Sequence, residues 1–310
     1  MESEEINATE EAPHVTRMEH FWMRRDYARS MLDAIERNNI SALRQEYREL
    51  ESAFAEAQRL IDEWRSPEEV FPVLEKVGII GAGGPANGVS TLHSELARGA
   101  RAQAGGTFAL VAGGVFRAVR AGMSLLRLVK KMGNVINREV ASSGFLFNDA
   151  LYDLRCQADH RSPAISANPY FYNSEQTIGP TDTLIPARGR VLDPRTEEEH
   201  DCVPMCAWAT QNVWGLEGTF ATMMIEHPVF HTIALGWGVP HHKPCRTILL
   251  PGGFPTAEDF FHEWDDGKFG PFRPHFSGPP GSSLIYEESS SPRVGRFGVM
   301  FRDIPPPPSP

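Results

Sequence analysis

The chain has 310 residues, 41% hydrophobic and 23% charged, with a formal net charge of −10. This is an ordinary globular mixture, long enough for one large or two ordinary domains and their cores. The charge is unevenly spread: between Glu95 and Glu139 there is no acidic residue but eight basic ones, which leaves −18 elsewhere and points to an acidic partner inside or outside the protein.

Residues 1–13, opening Met1-Glu2-Ser3-Glu4-Glu5, predict an acidic disordered tail. They carry no basic n-region and no apolar h-region, so no secretory signal is expected and the compartment is read as cytoplasmic or nuclear. In such a compartment Cys156, Cys202, Cys206 and Cys245 are expected as reduced thiols or metal ligands.

Met18, Phe21, Trp22, Arg25, Ala28, Met31 and Ile35 fit a first helix, and Asn38-Asn39 supplies a turn. Leu43, Tyr47, Leu50, Phe54, Ala57, Ile61 and Trp64 then recur at alternating spacings of 4 and 3, a heptad seam. Ser41 is placed to cap this second helix. Arg65-Ser66-Pro67 ends it, with Ser66 and Glu69 as a capping box for a helix through about Val77. Residues 17–65 therefore predict an αα-hairpin, whose seam either packs within the chain or pairs between chains as a homo-oligomer.

Gly81-Ala82-Gly83-Gly84-Pro85-Ala86, after Val77-Gly78-Ile79-Ile80, resembles the dinucleotide-binding fingerprint of Rossmann oxidoreductases and flavoproteins. The acidic residue expected about 20 positions on is absent. The stretch is therefore read as an inter-helix loop.

On a 3.6-residue period, residues 107–138 place Arg117, Arg120, Ser124, Arg127, Lys131, Asn134 and Arg138 on one stripe, with Lys130 beside Lys131. Phe108, Val111, Val115, Val119, Leu126 and Val129 fall opposite, with Phe116 and Met123 beside them, which makes a basic amphipathic helix. An anionic membrane surface or nucleic-acid phosphates would suit the stripe, and so would water. The uncharged run 102–116 is shorter than the roughly 20 apolar residues of a bilayer helix, so no transmembrane segment is expected.

Only four of the 25 prolines precede residue 160, a density behind it that excludes long helices. The expected fold is α+β: a mainly α-helical half, residues 14–158, then a Pro/Gly-rich, short-strand and loop-rich half, residues 159–302, and a polyproline tail, 303–310. Arg246 to Leu250, Ser283 to Tyr286 and Val294 to Phe301 are the strand candidates.

Seven of the eleven histidines lie between His200 and His275. Cys202, Cys206, His227, His231 and Cys245 are the candidate metal ligands, in numbers that tetrahedral zinc could use. No cofactor is otherwise implied. No P-loop, Gly-x-Ser-x-Gly elbow or His-Glu-x-x-His helix occurs. Two functional expectations follow. One is a non-enzymatic assembly or interaction protein that uses Leu43, Tyr47, Leu50, Phe54, Ile61 and Trp64 for association, and Arg117, Arg120, Arg127, Lys130, Lys131 and Arg138 against an anionic partner. The alternative is a zinc-dependent or Cys/His enzyme with its site in residues 200–262.

Overall fold

The computed structural model describes residues 14–17, 20–63, 65–83, 140–156, 169–172, 176–179, 183–193, 196–212, 218–239, 246–265, 275–277, 281–288 and 294–304. Within them the first half interleaves strands with helices: β1 (His14–Arg17), β2 (His20–Arg24), α1 (Arg25–Glu36), α2 (Ile40–Asp62), α3 (Pro67–Glu75) and β3 (Ile79–Gly83). Next come β4 (Val140–Asp149), β5 (Leu154–Cys156), β6 (Tyr170–Tyr172), β7 (Gln176–Gly179), β8 (Thr183–Ile185) and β9 (Gly189–Leu192). Long strands follow in β10 (Glu199–Asn212), β11 (Thr219–His227) and β12 (His231–Val239), then β13 (Arg246–Pro251) and α4 (Ala257–Asp265). The last three strands are β14 (His275–Ser277), β15 (Ser282–Glu288) and β16 (Val294–Arg302).

Two sheets, not a helical half followed by loops, organise the described residues, so the expected fold class is corrected. One sheet has ten strands in the order β1-β7-β10-β4-β16-β15-β14, with β2 and β9 also on β10 and β3 on β2. The other has six, β13-β12-β11-β5-β8 with β6 on β11. The proline argument excluded long helices correctly but not long strands. The 14-residue β10 carries Pro204 in its interior, paired in register with Trp22.

The first helix also begins later than its apolar spacing predicts. His20 to Arg24 alternate as a strand does: Phe21 and Met23 enter one core cluster while Trp22 joins Ile80 and Cys202 in another. Likewise Ile79–Gly83 is an edge strand paired with β2, which corrects the loop reading of the glycine motif's first half. Its remaining residues, 84–86, lie outside the described ones.

The ten-stranded sheet is apolar on both faces. Phe21, Met23, Phe145, Phe147, Val203, Met205 and Met300 meet the helices, and Leu146, Cys206, Trp208, Phe297, Val299 and Phe301 meet the second sheet. The helical layer answers with Ala28, Met31, Leu32 and Ile35 from α1 and Leu43, Tyr47, Leu50, Phe54, Ala57 and Ile61 from α2. The heptad seam thus faces the protein's own sheet, and Tyr47 donates its hydroxyl proton to the carbonyl of Phe297 on β16. Trp64, the last residue of the seam, lies outside the described residues. Asn39, not Ser41, caps α2, accepting the Ala42 N–H at 3.1 Å. Ser66 stands at the start of α3 without a side-chain capping bond.

The outer face of the second sheet is covered by α4, whose Phe260, Phe261 and Trp264 pack on Phe220, Ala234 and Ile248. The order of layers is therefore helices, sheet, sheet, helix. Between the sheets Trp208 and Trp237 lie with ring centroids 4.8 Å apart. Gly144 makes that arrangement fit, because a Cβ there would come 2.2 Å from the Trp208 ring. Phe54→Ala should lower unfolding free energy by about 3–5 kcal/mol in urea titration, since a fully buried ring leaves a cavity. Gly144→Ala should cost about 1–3 kcal/mol by overpacking against Trp208, seen as a lower Tm in the same buffer.

Candidate functional site

Where the strands of the large sheet run out of the core, their polar ends meet the start of α1. The result is a groove of about 920 Å³. Arg24, Arg25 and Arg29 enter it from the β2–α1 junction, Asp149 from the end of β4, Arg188 and Arg190 from the start of β9, Glu199 and Asp201 from β10, and Arg302 and Asp303 from the end of β16.

These charges satisfy one another, three of the pairs across long sequence separations. Arg25 donates two hydrogen bonds to Asp149, at 2.7 and 3.0 Å, a bidentate pair that raises the pKa of the guanidinium and keeps it charged. Arg188 donates to Asp303 at 2.7 Å and approaches Asp149 at 3.8 Å. Arg302 donates to Glu36 on α1. Arg24 pairs with Asp26 at 2.7 Å, and Arg190 lies 3.2 Å from Glu199. Arg29 has no ion pair among the described residues, and the paired Arg188 keeps one buried nitrogen, Nε, without a hydrogen-bond partner.

Chemically the groove is a network for holding α1 against the sandwich. Among the described residues its lining contains arginines, carboxylates, Leu32, Met300 and His200, and no hydroxyl, thiol or amine side chain. The carboxylates that could act as bases are occupied by guanidinium groups.

The sequence-predicted sites fall elsewhere. Arg117, Arg120, Arg127, Lys130, Lys131 and Arg138 lie outside the described residues, as does Cys245. Cys202 and Cys206 are both buried on β10, four residues and so roughly 13 Å apart along a strand. Burial pushes the Cys202 thiol up to about 12 and Cys206 higher still, so neither is a thiolate at neutral pH. His227 and His231 face each other across the β11–β12 hairpin, yet His231 is exposed and both ring nitrogens of His227 are engaged by protein groups. Among the described residues no three His, Cys, Asp or Glu side chains gather as a metal would require. Among the described members of the expected zinc set, strand geometry separates Cys202 from Cys206, and hydrogen bonds engage both nitrogens of the one buried imidazole, His227.

The groove was invisible to sequence reading because its pairs join distant residues. Arg25 and Asp149 are 124 positions apart and Arg302 and Glu36 are 266 apart. The only local signal was that charges collect at strand ends.

No protein-family model matches the chain, and no curated protein matches it. Among solved structures it is similar to the crystal structure of the lipid binding protein Nakanori, at 10% identity and a TM-score of 0.35, over 59% of this chain and 78% of that one.

Removing Asp149 leaves Arg25 without its bidentate carboxylate and Arg188 with Asp303 alone. Asp149→Ala should destabilise by about 1–3 kcal/mol, less in 1 M salt, whereas Arg190→Ala at the exposed rim should change stability by less than about 0.5 kcal/mol. Paired urea titrations at low and high salt check both.

Proposed function

We propose that this protein is a non-enzymatic binding protein for anionic lipid surfaces, with the layered sandwich as scaffold and residues 107–138 as the contact element. The reading is carried by where the chain leaves and re-enters the large sheet. β3 runs antiparallel to β2, β2 to β10, and β10 to β4. β3 and β4 therefore run in opposite directions: the chain leaves β3 at Gly83, level with Leu146, heading toward the end of the sheet at which Val140 opens β4. The 56 residues between those points carry eight basic and two acidic residues.

The acidic partner that such a segment calls for is not offered by the groove. Its carboxylates, gathered where β4 finishes, hold arginines already. That favours an external anion. Lipid suits the segment better than nucleic acid because its stripe is backed by the apolar series Phe108, Val111, Val115, Val119, Leu126 and Val129, which a headgroup boundary can bury and a phosphate backbone cannot. From Arg117 to Arg138 no aromatic residue interleaves with the basic ones for base stacking. The heptad seam, spent on the protein's own sheet, takes no part in this contact.

Co-sedimentation with neutral and phosphatidylserine-containing vesicles tests the proposal. Binding is expected to the anionic vesicles alone, to weaken as salt rises, and to survive competing RNA. The Lys130→Glu, Lys131→Glu double variant should lose about 2 kcal/mol or more, roughly thirtyfold in partition, with an unchanged circular dichroism spectrum. Displacement by RNA would transfer the segment to nucleic acid, and absence of binding to any vesicle would reject the lipid reading.

A further inference from the structure

The end of the sandwich where β4 and β16 finish carries a second device, built around His227. This residue closes β11 and is 4% exposed. Its Nδ1 accepts two backbone N–H groups of the following turn, Val229 at 3.1 Å and Phe230 at 3.2 Å. Its Nε2 lies 2.9 Å from the Tyr152 hydroxyl in the β4–β5 loop. That hydroxyl in turn lies 3.0 Å from the Arg302 carbonyl at the end of β16.

The protons can be assigned by counting donors. A carbonyl only accepts, so the single Tyr152 proton goes to Arg302, and the Tyr152 oxygen must accept from His227. His227 is therefore the neutral tautomer with its proton on Nε2. Nδ1 has two donors aimed at its lone pair and no room for a proton. Protonation would place a third N–H against two others and release at least one of them.

We propose that His227 is a proton-operated latch: neutral, it ties the β11–β12 turn to the β4–β5 loop and to the end of β16, and protonated, it frees the turn at Pro228, Val229 and Phe230. What the latch positions is apolar and outward. Leu151, next to Tyr152, is 69% exposed and Val229 is 59% exposed. Leu151 is held from its other side, where its N–H donates to Asp303 at 2.8 Å.

The surroundings make the imidazole sensitive to acid. On its own hairpin it faces His231, with Glu226 preceding it in the strand, and from β5 comes Arg155, paired in register with Glu226. From the adjoining loop and strand end come Tyr152 and, beyond it, Asp303. Among the described residues no carboxylate hydrogen-bonds either ring nitrogen of His227 to stabilise a positive charge. Burial lowers its pKa below the ordinary histidine value. A lowered folded-state value means that the latch contributes fully above the free-histidine pKa of about 6.5 and is lost as pH falls below it. This inference is independent of what residues 107–138 contact.

Nitrogen-15 imidazole spectra of the full chain, read with amide hydrogen exchange of residues 227–231 between pH 7.5 and 5, test it. The expected result is an Nε2-protonated neutral ring at pH 7.5, titrating below about 6.5. Exchange of the Val229 and Phe230 amides, corrected for intrinsic chemistry, should rise up to tenfold per pH unit below that point. His227→Gln should abolish this acid-driven rise. An Nδ1-protonated ring in the unmodified protein would overturn the latch without recourse to any variant, and so would amides that stay protected as the ring titrates, or a folded His227→Gln protein that opens with the same pH profile.

Discussion

A sheet that is apolar on both faces must be covered on both, and the architecture follows from that requirement. Phe145 and Phe147 point one way from β4 while Leu146 points the other, and Val203 and Met205 alternate with Cys206 and Trp208 along β10. Burying a side chain of this size is worth about 1.5–3 kcal/mol, so neither face can be left in water. The α1–α3 layer closes one face and the six-stranded sheet closes the other. The six-stranded sheet faces the same problem on its outer side, which Phe260, Phe261 and Trp264 of α4 solve.

Charge is consequently expelled to the ends of the strands. There the pairs Arg25–Asp149, Arg188–Asp303 and Arg302–Glu36 fasten α1 to the rim of the sandwich, while the latch of His227 and Tyr152 fastens one loop to another a few residues away on the same strand ends. Both are cross-element contacts made where backbone leaves the regular ladder and polar side chains regain access to water.

Parts of this were legible from residues alone. The 3–4 spacing from Leu43 to Ile61 identified α2 because a helix burying one face must repeat near 3.6 whatever covers it. The strand expectations at 246–250, 283–286 and 294–301 correspond to β13, β15 and β16. β2 and β10 were not legible. Two-sided burial removes the polar alternation that marks a strand, so Phe21, Trp22 and Met23 read equally well as helix, and Pro204 argued against a strand that tertiary pairing nonetheless sustains. The separation of Cys202 from Cys206 was hidden for a related reason: closeness in sequence brings two side chains together only if the chain turns between them, and in the extended β10 it does not.

The sequence alone determined the helical period of α2, the punctuation at Asn38-Asn39 and Pro67, and the polarity of charge around residues 95–139, because each depends on neighbours within a few turns of chain. Only the tertiary structure decided which surface the seam covers, that the charged groove is internally paired, and that Tyr152 fixes the tautomer of His227. Those contacts join residues 75 to 266 positions apart. Their partners are chosen by strand order and register, which the burial of whole faces selects and no local pattern encodes.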